Sequence, residues 1–163
     1  DGTNEGSLLG PIQNQMQFDK VASLVEQAKQ GGATILCGGD PRGETLFYPI
    51  TLVADITNEA ALVQEEQFGP ALPIVKYSDI EQALVWANDN PNGLGGSIWS
   101  SDSDVANELA LRLEAGTIWI NRHGLIQPNA PFGGIKQSGV GVEFGIEGLN
   151  QNMNIKTVLS YPS

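Results

Sequence analysis

The chain has 163 residues, a formal net charge of −11 and a hydrophobic content of 40%. This length allows one domain, or one with an appendage, and the hydrophobic content supports a packed core rather than a disordered acidic tail. The acidity argues against nucleic acid and anionic membranes as partners, because both favour clusters of Lys and Arg. No apolar run approaches the roughly 20 residues of a membrane span, and the chain opens with Asp rather than with a signal segment. We therefore expect a cytoplasmic, acidic α/β chain that is a piece of a longer protein.

The chain contains one cysteine and one histidine, Cys37 and His123. A single cysteine excludes an internal disulfide framework and any metal site built from several cysteines. A single histidine removes most zinc sites and most catalytic triads, so no metal is expected. Cys37 lies within a predicted strand with no basic residue nearby, so we expect a buried structural cysteine rather than a nucleophile. His123 lies in a predicted loop, where it either meets a ligand or is simply solvated.

The first half of the chain predicts two helices and three strands. The first helix follows residue 13 and ends at Gly31-Gly32. Its apolar face repeats at helical spacing and comprises Phe18, Val21, Ala22, Val25 and Ala28. Short apolar runs between Gly and Pro residues predict strands at 33–37, 47–53 and 71–77, and residues 58–63 predict a short helix.

The second half alternates helices and strands. Ser78 and Glu81 have the spacing of a capping box, which predicts a helix with Ser78 as its N-cap. The expected buried stripe of this helix comprises Ile80, Ala83, Leu84 and Ala87. The next helix is predicted to open at 101–104, and its expected inner face comprises Val105, Leu109 and Leu113. Strands are predicted at 94–99 and 117–120, on either side of that helix.

This alternation of strands and helices predicts parallel pairing, since strands joined by a crossover helix run in the same direction. We therefore expect an α/β fold with a twisted, mostly parallel sheet flanked by helices. A long loop at 121–134 follows the last of these strands and has a length typical of functional loops. Residues 142–150 predict a short helix, and residues 153–159 alternate as a final strand would.

Three segments could carry chemistry, and the first contains Glu66 and Phe68. A carboxylate accepts hydrogen bonds, which suits the two neighbouring hydroxyls of a ribose. An aromatic side chain two residues later could wall a flat ring. The alternative interpretation is a solvated acidic helix end followed by a Phe of the core.

The second segment ends at Asn121, at the carboxyl end of the strand predicted at 117–120. Ligands of open α/β sheets bind beyond these strand ends, but an Asn also caps a loop well. The third segment, 131–143, is rich in glycine. Its spacing matches neither the P-loop nor the dinucleotide-binding fingerprint, so both are excluded and a tightly packed turn is the alternative.

Together and in this order, the three segments resemble the carboxyl-terminal part of the NAD(P)-dependent aldehyde dehydrogenases. The family's Glu-x-Phe-Gly-Pro motif matches residues 66–70, and its Gly-x-x-x-x-Asn motif matches residues 116–121. Its Pro-Phe-Gly-Gly-x-Lys-x-Ser-Gly-x-Gly-x-Glu motif matches residues 131–143. The Leu-Gly-Pro at 9–11 and the Ile-Lys-Thr-Val at 155–158 also fit, so the resemblance covers nearly the whole chain.

The resemblance implies an oxidoreductase that oxidises a small-molecule aldehyde to a carboxylic acid with NAD or NADP. Glu66 would hydrogen-bond the hydroxyls of the nicotinamide ribose, and Phe68 would orient the nicotinamide for hydride transfer. The loop at 122–130 would line the aldehyde channel. The residues implied on the substrate side are Asn121, Arg122, His123 and Phe132.

The resemblance also implies how the chain is organised. Residues 1–150 would form the carboxyl-terminal part of a catalytic domain, and residues 151–163 an oligomerisation strand and tail within a homo-oligomer, a dimer or a tetramer. The family's nucleophilic cysteine, which forms a thiohemiacetal with the aldehyde, would lie upstream together with the general-base glutamate. The dinucleotide-binding region would lie upstream as well.

Two alternatives stay open from the sequence. The chain could be a stand-alone, non-catalytic module that assembles with a partner. It could also be part of an acylating, coenzyme A-dependent relative or of a semialdehyde dehydrogenase. Neither the aldehyde nor the choice between NAD and NADP follows from these residues.

Because the implied nucleophile is not among these residues, we predict that the isolated 163-residue chain does not oxidise aldehydes. The measurement is the absorbance of NADH after the purified chain is mixed with an aldehyde and NAD. Clear turnover that Cys37→Ala abolishes would contradict this prediction and the structural role assigned to Cys37.

Overall fold

The computed structural model describes residues 4–41, 43 and 45–162, in two units that divide at residue 78. The N-terminal unit covers residues 1–78 and the C-terminal unit covers residues 79–163. The elements of the N-terminal unit are α1 (Gln15–Gln30), β1 (Thr34–Cys37), β2 (Thr51–Ala54), α2 (Ala61–Gln64) and β3 (Ala71–Pro73).

Helix α1 forms where its apolar spacing predicts it. The Asn14 side chain caps its first turn by accepting from the Gln17 N–H at 2.9 Å, and Gly31 follows its last residue. The predicted face is confirmed, except that Ala22 is only half-buried and Leu24 joins it. The buried residues of the helix are Phe18, Val21, Leu24, Val25 and Ala28. This face packs in the core of the N-terminal unit, so α1 is its central support.

The core also includes the central strand of a three-stranded sheet. Strand β2 pairs antiparallel with β1 and parallel with β3. Its residues Thr51 and Val53 are fully buried. Strands β2 and β3 are shorter than predicted, since β2 begins at Thr51, after Pro49, and β3 ends at Pro73.

The predicted burial of Cys37 is wrong. Cys37 is exposed and ends β1, which is an edge strand of the sheet formed by the described residues. Its thiol lies 3.6 Å from the Ile50 carbonyl oxygen. A side chain at the end of an edge strand has a neighbour on one side only, which an apolar run in a sequence does not reveal.

The C-terminal unit contains three helices and six short strands among its described residues. They are α3 (Ile80–Asn88), β4 (Asn92–Gly93), β5 (Gly95–Ile98), α4 (Ser103–Arg112), β6 (Thr117–Ile120), β7 (Phe132–Gly133), β8 (Ile135–Lys136), β9 (Val142–Glu143) and α5 (Gly145–Gln151). Strands β5 and β6 pair in parallel across α4, as predicted, while β4 pairs with β8 and β7 with β9 antiparallel. The α/β class is confirmed, but the described strands form one three-stranded sheet and three pairs rather than one mostly parallel sheet.

Helix α3 begins one residue later than its sequence predicts. Asp79, not Ser78, is its N-cap and accepts from the Glu81 N–H at 3.0 Å. Glu81 does not reach back, because its carboxylate pairs with the Arg112 guanidinium, which lowers the pKa of Glu81. The carboxylate of Asp79 is a stronger acceptor than a hydroxyl, so it replaces Ser78 as the cap.

The helices of the C-terminal unit are less buried than their apolar stripes predict. In α3, Ile80 and Ala87 are exposed, and Ala83 and Leu84 are half-buried. In α4, Val105 is exposed, and Ala106 is the only buried hydrophobic residue among the described part of this unit. An apolar stripe shows which face of a helix is able to pack. That face is buried only where another element of the fold packs against it.

The last two predicted elements also differ. Residues 142–150 are split into β9 and α5 by Phe144, whose positive φ of 60° interrupts the helix. Residues 153–159 form no strand among the described residues, and Ile155 is 98% exposed. A strand exists only when a neighbour accepts and donates its hydrogen bonds, and none of the described segments does so for this tail. None of the described helices combines the length and the hydropathy of a bilayer-crossing segment.

Candidate functional site

The turn between α2 and β3 presents Glu66 on the surface of the N-terminal unit. The Glu66 main-chain oxygen accepts from the Lys20 ammonium at 2.9 Å, and the same ammonium lies 3.6 Å from the Glu65 carboxylate. No described residue donates a hydrogen bond to the Glu66 carboxylate. Lys20 therefore holds the backbone and pairs with Glu65, which leaves the Glu66 carboxylate able to accept from a ligand.

Phe68 stands two residues later in a strained conformation. Its φ is +45°, in the left-handed region that bulky side chains rarely adopt, and its side chain is 77% exposed. The alternative interpretation of Phe68 as a core residue is therefore wrong. Because the Phe68 ring is exposed, its packing does not compensate for the strain of its backbone. Strain of this kind is typical of functional sites.

Phe68 borders a surface hollow of about 460 Å³. One wall is the turn itself, and the other is the extended segment that precedes α1. The lining residues are Leu9, Gly10, Pro11, Ile12, Gln13, Phe68, Gly69 and Pro70. The Leu-Gly-Pro segment and the Phe-Gly-Pro segment, which lie far apart in the sequence, thus share one cavity.

In the C-terminal unit, Asn121 closes the β5–β6 pair. Its side-chain oxygen accepts from the Ser100 N–H at 2.9 Å, and its side-chain nitrogen donates to the Ser100 carbonyl at 2.8 Å. Its φ is +54°, so the chain turns away from the strand at this residue. Both polar atoms of the amide are used within the fold, which favours the interpretation that Asn121 caps the loop over direct contact with a substrate.

His123 belongs to a small cluster around Trp119. Its Nδ1 is hydrogen-bonded to the Ser97 hydroxyl, and its ring meets Trp119 edge-on at 5.2 Å between ring centroids. The Trp119 Nε1–H donates to the Leu125 carbonyl at 2.8 Å. His123 is therefore exposed to solvent but held by two neighbours. Its next neighbour in the sequence, Arg122, is exposed and makes no ion pair with a described residue.

Phe132 also neighbours Trp119, with 6.4 Å between the two ring centroids. Both rings line a cavity of about 230 Å³ beneath the loop that follows β6. The buried Thr117 hydroxyl also lines it and has no hydrogen-bond partner among the described residues. The predicted residues His123 and Phe132 thus belong to one aromatic cluster in the C-terminal unit.

The glycine-rich segment at 131–143 supports packing. A Cβ at Gly134 would come within 2.8 Å of the Ser138 backbone, and a Cβ at Gly116 would overlap the Gly133 carbonyl. The Lys136 ammonium donates to the Asn90 carbonyl at 3.2 Å and lies 2.8 Å from the Glu114 carboxylate. The structure thus supports the tightly packed turn for this segment. The described residues also contain no group of three or more metal-ligating side chains.

A model of the aldehyde dehydrogenase family matches residues 1–158. The chain belongs to the aldehyde dehydrogenase family. It is 37% identical to an aldehyde dehydrogenase of Paenarthrobacter nicotinovorans, over 97% of this chain and 35% of that protein. It is also 37% identical to a betaine aldehyde dehydrogenase of Brucella anthropi, over 97% and 34% of the two chains.

Solved structures of aldehyde dehydrogenases have the same fold. The NAD+ complex of an aldehyde dehydrogenase from Bacillus cereus matches with a TM-score of 0.89 at 34% identity, over 96% of this chain and 32% of that chain. A betaine aldehyde dehydrogenase from Staphylococcus aureus in complex with NAD+ matches with a TM-score of 0.85 at 35% identity, over 93% and 31%. The chain thus spans about a third of the length of the relatives it matches.

Sequence reasoning missed the residues that organise this aldehyde dehydrogenase segment. Ser97 lies beside Trp119 only because β5 and β6 pair in that register. Ser100 meets Asn121 for the same reason. Nothing in the spacing of the sequence signals either pair, since Ser97 and Trp119 lie in two strands separated by a helix, and Ser100 and Asn121 follow those strands.

We predict that Asn121→Ala destabilises the protein by about 1 kcal/mol, because it removes two solvent-exposed hydrogen bonds to the Ser100 backbone. The measurement is the urea midpoint of the complete gene product that contains this chain. Asn107→Ala is the matched control, since Asn107 is exposed on α4 and donates only to the Ser103 carbonyl of its own helix. Equal midpoints for the two variants would contradict the role assigned to Asn121.

Proposed function

We propose that this chain forms the cofactor-orienting and substrate-lining part of an NAD(P)-dependent aldehyde dehydrogenase. The observation that carries the proposal is the turn at 66–70, where a free carboxylate and a strained, exposed aromatic ring stand two residues apart. The Bacillus cereus and Staphylococcus aureus relatives that match this chain bind NAD+ in their structures.

The residues of the turn fit a nicotinamide nucleotide. The Glu66 carboxylate has lone pairs available for the two ribose hydroxyls. The Phe68 ring is a flat apolar wall beside a hollow of about 460 Å³. When bound, the nicotinamide supplies the hydride acceptor. Glu66 and Phe68 then hold and orient it, which is how a protein contributes to cofactor chemistry.

The substrate side is assigned to the C-terminal unit. We propose that Arg122, His123 and Phe132 contact the aldehyde, and that Asn121 fixes the point where their loop begins. Ser97 holds the His123 ring by a hydrogen bond, and Trp119 packs against it, so the imidazole is oriented before a substrate arrives. The nucleophile is assigned to residues outside this chain, because the Cys37 thiol is 3.6 Å from the Ile50 carbonyl and no basic side chain among the described residues contacts it.

We predict that Glu66→Gln weakens NAD+ binding by roughly 10- to 100-fold, the range expected for losing hydrogen bonds to a charged group. Phe68→Leu should weaken binding as well and lower the rate of hydride transfer. The dissociation constant is measured by quenching of tryptophan fluorescence in the complete gene product. Glu65→Gln is the matched control, since Glu65 has a partner in Lys20. Unchanged affinity in Glu66→Gln, or an equal loss in Glu65→Gln, would sink the proposed function.

The domain organisation expected from the resemblance is retained as part of the proposal. Residues 1–150 form part of the catalytic domain, and the tail at 151–163 joins subunits. The described tail residues support this, because Ile155, Val158 and Leu159 expose apolar side chains in a segment that pairs with no described strand. An unpaired apolar segment of this kind is a template for pairing with a second chain.

We predict that Ile155→Pro converts the homo-oligomer of the complete gene product into smaller species. Proline removes a backbone N–H and is excluded from the interior of a sheet. Ile155→Val is the matched control, because it keeps a β-branched side chain and the N–H. Sedimentation velocity measures the assembly, and an unchanged sedimentation coefficient in Ile155→Pro would show that the tail does not join subunits.

A further inference from the structure

We propose that Gln67 is a positioning residue, whose side chain holds Phe68 in the conformation that orients the nicotinamide. Gln67 lies between the two residues to which the proposed function assigns the cofactor, and the inference rests on that function. Its own side chain points back into the turn and is half-buried. It therefore acts on the cofactor through the backbone of its neighbours.

The side-chain amide of Gln67 reaches past Phe68 and binds two backbone groups that follow it. Its Oε1 accepts from the Gly69 N–H at 2.7 Å, and its Nε2 donates to the Ala71 carbonyl at 2.7 Å. One partner is a donor and the other an acceptor, so the side chain must offer one of each. A carboxylate, a thioether or an aliphatic side chain at this position cannot satisfy both.

The main chain of Gln67 is fixed independently by α1. Its carbonyl oxygen accepts from the Gln17 side-chain amide. Two residues later, a Cβ on Gly69 would overlap the Val21 side chain, which is fully buried. Gln67 and Gly69, the residues on either side of Phe68, therefore both contact α1. The side-chain amide of Gln67 joins these two residues by its hydrogen bond to the Gly69 N–H.

Phe68 needs this support because its conformation is unfavourable by itself. A bulky residue at φ +45° costs energy, and the exposed ring recovers little of that cost from packing. Without the Gln67 amide, the turn can relax to an ordinary conformation, which moves the ring from its place beside the 460 Å³ hollow. The expected loss is therefore in cofactor orientation rather than in overall folding.

The test compares Gln67→Leu and Gln67→Glu in the complete gene product. Gln67→Leu removes both hydrogen bonds, whereas Gln67→Glu keeps an acceptor for the Gly69 N–H and loses the donor to Ala71. Gln30→Leu is the matched control, because Gln30 is exposed at the end of α1 and donates only to Glu26 of the same helix. The readouts are the NAD+ dissociation constant, the rate of hydride transfer, the KM for the aldehyde and the melting temperature.

We expect hydride transfer in Gln67→Leu to fall roughly 10- to 100-fold, the scale on which a misplacement of about 1 Å acts. NAD+ binding should weaken too, and Gln67→Glu should lie between Gln67→Leu and the parent. The KM for the aldehyde should change little, and the melting temperature should fall by only about 2–4 °C, because the two lost hydrogen bonds are part-buried. Proportional losses in all four readouts would overturn the inference, since they indicate a structural role only. If Gln67→Leu does not fold, Gln67→Glu decides by the same criteria.

A double-mutant cycle with Phe68→Ala separates this inference from the proposed function. If Gln67 acts through Phe68, Gln67→Leu has little further effect on NAD+ affinity once Phe68 is alanine. Additive losses would overturn the inference. If Glu66→Gln and Phe68→Ala leave the affinity unchanged, the proposed function fails first. If they weaken binding while Gln67→Leu does not, the positioning role alone fails.

Discussion

The close approach of the Gly69 backbone to Val21 of α1 is the constraint on which the N-terminal unit's candidate site depends. No side chain fits between the turn and the helix at this point, so the turn lies directly on the most buried part of the core. Phe68, one residue earlier, has a left-handed backbone conformation with φ +45°. The strain is therefore located where the core can resist it, which is the usual way a rigid scaffold supports an exposed functional group.

The C-terminal unit positions its candidate residues in another way. Ala106 is its only buried hydrophobic residue within the described segments, so packing contributes little to the loop after β6. Hydrogen bonds hold that loop instead. Asn121 bonds both backbone groups of Ser100, and Trp119 donates to the Leu125 carbonyl. Hydrogen bonds of this kind fix the geometry of the loop and contribute little to the free energy of unfolding. This suits a loop that is proposed to admit a substrate.

Local patterns were good guides where one element decides its own structure. The spacing of Phe18, Val21 and Val25 predicted α1, and the Thr-Ile-Trp-Ile run predicted β6. Local sequence patterns gave wrong predictions where the structure of a segment depends on contacts with another segment. Cys37 is exposed because it ends an edge strand. Within one segment, Asp79 replaces Ser78 as the N-cap because its carboxylate is the stronger acceptor. The tail at 153–159 has the alternation of a strand, but no described segment pairs with it.

The same division applies to the site. The ordered motifs of the sequence alone determined the family, and with it which residues to examine, because a motif records residue types that a chemistry needs at a given spacing. Only the tertiary structure decided that Phe68 is strained and exposed, that Asn121 has its amide occupied, and that Gln67 and Ser97 support the proposed site residues. These contacts join strands, turns and helices that are distant along the chain. Their geometry depends on register and on the approach of backbones, which no local pattern of residues encodes.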